Sequence, residues 1–150
     1  MKKYYICTGG CGAKLTKEEY EKHPTKTCQT TNCPRHGKPF VLDLTSKKCV
    51  PCEGGIPPLK LKEIKEYKKQ VNDGWKVLDN TKISREFKFK DFVETMKFVN
   101  EVAKIAEQEG HHPNICIYWG KAVVELWTHA IGGLHENDFI LASKIDKLKI

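Results

Sequence analysis

Six of the seven cysteines fall between residues 7 and 52, in three close pairs: Cys7-x3-Cys11, Cys28-x4-Cys33 and Cys49-x2-Cys52. Nothing else in the 150 residues restricts the fold as tightly. Two thiolates two to four residues apart can reach one ion from a single turn, and two such turns close a tetrahedral site. Gly12 after Cys11, and Glu53-Gly54-Gly55 after Cys52, leave room for tight turns beside the ligands. A segment this short and polar does not fold on apolar burial alone, and a structural metal is one common remedy. The start, Met1-Lys2-Lys3-Tyr4-Tyr5-Ile6-Cys7, lacks an apolar run of signal-peptide length. A reducing cytoplasm is therefore expected, or the nucleus, and zinc rather than disulfides.

His23 and His36 join Cys7, Cys11, Cys28, Cys33, Cys49 and Cys52 to make eight candidate ligands, enough for one or two structural zinc ions. Spacing leaves three arrangements open. Cys7/Cys11 can pair with Cys49/Cys52 beside a second site of His23, Cys28, Cys33 and His36; a single four-cysteine site is another; a cross-brace is the third. The segment resembles zinc-ribbon or treble-clef modules in general. Ten Lys/Arg against five Asp/Glu give residues 1–55 a net charge of +5, while residues 56–150 carry +2. That excess admits contact with nucleic acid or a protein partner by the first module.

Glu53-Gly54-Gly55-Ile56-Pro57-Pro58 continues neither a helix nor a central strand, so it divides a cysteine-rich module, 1–55, from a second domain, 56–150. Leu59, Leu61, Ile64, Tyr67, Lys68 and Val71 space as a helix, ending near Asn72-Asp73-Gly74. Trp75–Leu78 and Ile83–Phe89, joined by Asp79-Asn80, read as a hairpin with one buried face. Phe92, Val93, Met96, Val99, Val102, Ala103 and Ala106 predict a long amphipathic helix ending at Gly110. Ile115–Thr128 reads as one strand with Cys116 in the core, and Asn137-Asp138 as a helix start, with Phe139, Ile140, Ala142, Ile145 and Leu148 inward. The order α-β-β-α-β-α predicts an α+β domain, an antiparallel sheet with helices packed on one face. Its uncovered face and edge are open to self-association. No window approaches the length of a membrane helix.

Four of the six histidines lie between Glu107 and Asp146. His111 and His112 sit between Gly110 and Pro113, and His129 closes the predicted strand. Imidazole both gives and takes a proton near neutrality, so the three are candidates for acid/base work if the fold brings them together. A single straight strand would hold His129 away from the His-His turn; a strand that pairs with itself would bring it back.

Residues from about Leu59 to Ile150 resemble the pterin-4a-carbinolamine dehydratase family, the 4a-hydroxytetrahydrobiopterin dehydratases. The matching residues are Glu107-x3-His111-His112-Pro113, Trp119, His129 ten residues later, and Asp138, with Gly74-Trp75, Phe87–Phe92, Gly133-Leu134 and Leu141-Ala142 agreeing. The resemblance implies loss of water from a 4a-hydroxytetrahydropterin to give quinonoid dihydropterin, in recycling the cofactor of aromatic amino-acid hydroxylases, with no metal or organic cofactor in catalysis. It implies catalytic roles for His111, His112 and His129, and a pterin site lined by Pro113, Trp119, Thr128, Ala130, Ile131 and Asp138. It also implies a homodimer or homotetramer; some members bind a transcription factor. The alternative is an oligomeric binding or regulatory protein without catalysis, whose zinc module contacts nucleic acid or protein. A three-histidine zinc site is a third reading, disfavoured because adjacent histidines ligate one ion poorly.

Overall fold

The computed structural model describes residues 3–9, 11–51 and 55–149. The chain forms two compact units, Met1–Lys47 and Lys48–Ile150. The division lies ahead of the Gly-Gly-Ile-Pro-Pro stretch at which the sequence reading places it. The reason is hydrogen bonding: the Cys49 amide donates to Glu109 Oε2 (2.9 Å), and Val50 exchanges bonds with the Asn137 side chain (3.2 and 2.7 Å). These contacts make Cys49 part of the second unit.

The first unit carries strands β1 (Tyr4–Ile6), β2 (Lys14–Thr16) and β3 (Val41–Leu42) in the order β2-β1-β3, all antiparallel. Helix α1 (Lys17–Lys22) follows β2 directly. Its start is fixed by a reciprocal cap: Thr16 Oγ1 accepts from the Glu19 amide (3.2 Å) while Glu19 accepts from the Thr16 amide (2.7 Å). One face of the unit packs Tyr5 on Tyr20 with ring centroids 3.8 Å apart.

The second unit runs α2 (Leu61–Lys68), β4 (Lys76–Leu78), β5 (Lys82–Lys88), α3 (Phe92–Glu109), β6 (Asn114–Tyr118), β7 (Lys121–Leu126) and α4 (Glu136–Ile145). Its antiparallel sheet has the order β4-β5-β7-β6. Asp79 and Asn80 both take positive φ (49° and 57°), the backbone a tight β4–β5 hairpin demands. The expected single strand Ile115–Thr128 is in fact two strands. Trp119-Gly120 turns the chain, and Asn114 pairs with Glu125, Ile115 with Val124 and Tyr118 with Lys121. Gly120 sits close to the preceding loop in this turn: its carbonyl accepts from the Phe89 amide (2.8 Å), and a Cβ at this position would come within 3.2 Å of the Phe89 carbonyl oxygen.

Ile83 and Phe87 of β5 and Ala122, Val124 and Leu126 of β7 are buried on the sheet face that the helices cover. Phe87 meets Phe98 of α3 with ring centroids 4.5 Å apart. The opposite face carries cross-strand ion pairs, Lys82–Glu125 (3.1 Å) and Lys121–Glu86 (2.9 Å). Helix α3 presents Thr95, Phe98, Val102 and Ala106 inward, not the full stripe expected of it. Phe92 and Val93 are 48% and 61% exposed. Apolar residues run around more than half of α3, so periodicity alone does not select the buried face. Thr95 tolerates burial because its hydroxyl donates to the carbonyls of Asp91 (2.9 Å) and Trp119 (3.3 Å). Cys116, expected in the core, is exposed, because β6 is the outer strand of the sheet. Among the described residues no helix is long and apolar enough to cross a membrane.

Candidate active site

The three catalytic candidates sit on two chain segments that the β6–β7 hairpin returns to one end of the sheet. Helix α3 stops at Gly110, whose φ of 64° is left-handed and whose amide bonds back to the last helical carbonyls. The His111 amide donates to Ala106 O (3.1 Å), so His111 turns inward immediately after the helix. Six residues of β7 later, Thr128 forms an isolated bridge with Gly133, and the single helical turn His129–Ile131 lies between them. Because Asn114 is paired with Glu125, this loop emerges beside the His-His turn rather than far from it.

One carboxylate joins the two segments. Asp138 is 0% exposed. Its Oδ1 lies 2.7 Å from Nε2 of buried His111, and its Oδ2 accepts from the Thr128 hydroxyl (3.1 Å) and the His135 amide (2.7 Å). A carboxylate only accepts, so the proton of that first bond resides on Nε2 of His111. The same Asp138 closes the N-terminal cap of α4, where His135 Nδ1 accepts from the Asn137 amide (3.2 Å). Asp138 is expected from the sequence to line the substrate site; the structure buries it completely, bonded to His111, Thr128 and His135.

The other two histidines face outward. His112 is exposed, with Nε2 2.7 Å from Glu107 Oε1, one helical turn back. His129 is exposed and stacks on Trp127, centroids 4.3 Å apart. Around them Pro113 and Ile131 are half-buried, Ala130 is exposed and Thr128 is buried. Trp119 is not brought to this end. It is 70% exposed in the turn at the opposite end of the hairpin, because the strand it was assigned to folds back at that residue. Glu107 and His135 were given no role from the sequence. Glu107 sits four residues before His111, at helical spacing on the last turn of α3, which is the signal that could have paired it with the His-His turn.

A second group of reactive side chains lies in the first unit. The sulfurs of Cys7, Cys11, Cys28 and Cys33 are all within 4.8 Å of one another. Burial pushes the Cys7 thiol up to about 12, whereas the Ala13 amide pulls the Cys11 thiol down to about 6. His23 and His36 are not part of this group: His23 Nδ1 accepts from the Lys26 amide (3.0 Å), and His36 Nδ1 donates to Thr30 O (3.3 Å). Cys49 is held in the second unit, its thiol 3.7 Å from Asn137 O. Cys52 lies outside the described residues.

Comparison against protein families matches residues 57–148 to pterin 4 alpha carbinolamine dehydratase. The chain belongs to that family. A relative from Rickettsia bellii, provisionally named a pterin-4-alpha-carbinolamine dehydratase, is 49% identical over 110 residues, 73% of this chain and 97% of the relative. One from Nitrosomonas europaea, named in the same provisional way, is 52% identical over 108 residues, 72% of this chain and 95% of the relative. The crystal structure of a "transcriptional coactivator/pterin dehydratase" from Brucella melitensis superposes with a TM-score of 0.55 at 35% identity, covering 59% of this chain and 94% of that one. The antiparallel sheet and helices of the second unit are thus the dehydratase family's fold. An alignment of 110 residues does not fit within 56–150, so it takes in part of the stretch before residue 56. Those relatives are nearly used up by it, and most of the first unit has no counterpart in them.

Proposed function

We propose that this chain dehydrates a 4a-hydroxytetrahydropterin to quinonoid dihydropterin and water, by proton transfer between substrate and histidine. The C4a–O bond breaks as an acid protonates the departing hydroxyl, N5 gives its proton to a base, and the C4a–N5 double bond forms. His111, His112 and His129 supply these groups, and Pro113, Thr128, Ala130 and Ile131 border the pterin. The reading assigns no metal or organic cofactor to the reaction. Its place is beside a hydroxylase that oxidises tetrahydropterin. The observation that carries it is the Asp138 carboxylate, which binds His111 and the residue preceding His129 at once.

The test is the rate of dehydration of 4a-hydroxytetrahydropterin by wild type, His112→Ala and His129→Ala. Both histidines are exposed, so the variants keep the core intact. Each substitution is expected to lower kcat/KM by about 10²-fold or more. Wild type no faster than buffer, or variants as fast as wild type, would overturn the reading and leave a binding role.

We also infer that the working form is a homo-oligomer. Strand β6 is an outer strand bearing exposed Ile117 and Tyr118, and Trp119 and the Phe92–Val93 end of α3 add further exposed apolar surface.

A further inference from the structure

Among the described residues of the first unit, sulfur makes up most of one buried cluster, with Leu44 buried as well. That cluster is Cys7, Cys28, Cys33 and Phe40, with Cys11 packed against it. Cys7 and Cys33 sulfurs are 3.5 Å apart and Cys11 and Cys28 sulfurs 3.6 Å, and all four are free thiols. A disulfide would need about 2.05 Å. A tetrahedral zinc with Zn–S bonds of about 2.3 Å sets its sulfurs about 3.8 Å apart, and the observed spacings bracket that value.

The backbone is shaped for charged sulfur. The Gly9 amide points at Cys7 Sγ and the Arg35 amide at Cys33 Sγ, each at 3.4 Å and each from two residues further on. Two turns of the same kind thus offer N–H groups to thiolates on opposite halves of the cluster, which is how neighbouring groups orient metal ligands. A Cβ on Gly9 would lie 2.6 Å from Cys33 Sγ, so only glycine admits the approach.

We propose that Cys7, Cys11, Cys28 and Cys33 bind one Zn²⁺, and that this ion holds the first unit folded. Four thiols release their protons as four Zn–S bonds form. With every position taken by sulfur the ion has no open site and no catalytic role. Of the three arrangements open from spacing, this is the single four-cysteine site, drawing on the first two pairs and leaving His23, His36 and Cys49 out.

The full-length chain, purified under reducing conditions without chelator, is assayed for metal by plasma mass spectrometry. One zinc per chain is expected in wild type, Cys49→Ser and His36→Ala, and none in Cys28→Ser. Gly9→Ala keeps all four ligands and is expected to lose zinc to a chelator at least tenfold faster than wild type. Replacement by Co²⁺ should give the sulfur-to-cobalt absorption of a tetrathiolate. Stripping the metal should erase the amide signals of residues 3–47 in NMR spectra and spare those of the second unit. Zinc retained in Cys28→Ser, or wild type that stays metal-free when refolded with zinc and reductant, overturns the site. A first unit that remains folded without metal overturns its structural role. Neither result bears on the dehydratase reading, whose residues lie in the other unit.

Discussion

A carboxylate that accepts from His111, Thr128 and His135 cannot be altered for one purpose alone. Asp138→Asn replaces an acceptor oxygen by an NH₂ that faces at least one existing donor, at a fully buried position. Hydrogen bonds to a buried charged group contribute about 1.5–3 kcal/mol each, so a loss of about 2–3 kcal/mol in urea unfolding is expected. Turnover should fall as well, because the Nε2 proton of His111 loses the partner that fixes its tautomer. Thr128→Val removes one donor and keeps the His111 bond; it should lower stability by a smaller amount and leave turnover within a few-fold. Equal turnover losses in the two variants would show that the His111–Asp138 bond has no special part. The sequence made His111, His112, His129 and Asp138 visible as a spaced set. That Asp138 is fully buried and bonded to His111 was not legible, because a spacing of 27 residues says nothing about burial.

At the scale of elements, Glu109 at the end of α3 ties that helix to α4. Its carboxylate binds Lys144 Nζ and the Cys49 amide. Burial works to raise its pKa, but the Lys144 ammonium and the Cys49 amide outweigh it and hold the group below the usual glutamate range. A depressed folded pKa gives stability that is complete above the unfolded value, about 4.3, and is lost as pH falls through the lower folded value. Wild type should therefore exceed Glu109→Gln by about 1–2 kcal/mol in urea at pH 7, with the gap closing below about pH 4. A gap constant between pH 7 and pH 3 would remove Glu109 from this role. The elements themselves were largely readable. Helices α2, α3 and α4 and the β4–β5 hairpin follow from apolar period and turn residues, but the β6–β7 hairpin hides in a continuous β-branched and aromatic run. Gly120 was the only local mark of its turn, and a lone glycine in a strand reads equally well as a bulge. The buried face of α3 was misjudged for a related reason. Phe92 and Val93 extend its apolar surface beyond what the sheet covers.

At the scale of the whole molecule, two compact units of different composition share one chain. The second has a conventional core running through Trp75, Phe98, Val102, Leu126, Phe139 and Leu141. In the first, Phe40 packs in a buried cluster made mostly of cysteine sulfur, with Leu44 buried as well. The sequence reading divides the chain at 55/56, whereas the compact units divide at Lys47/Lys48. Glycine and proline at 54–58 mark a change of direction, whereas the boundary follows from where Cys49 and Val50 find hydrogen-bond partners.

The exposure of Cys116 on β6 turns that strand into its own footprint. A small alkylating reagent should modify Cys116 readily in dilute solution, where the outer edge of β6 is not shared with another copy. If copies of the chain pair along this edge, the modification rate should fall several-fold as protein concentration rises, and Ile117→Lys should abolish that concentration dependence. A rate independent of concentration would mean that association, where it occurs, uses another surface. The thiol thus converts an architectural detail, the outermost place of one strand, into a chemical clock for assembly.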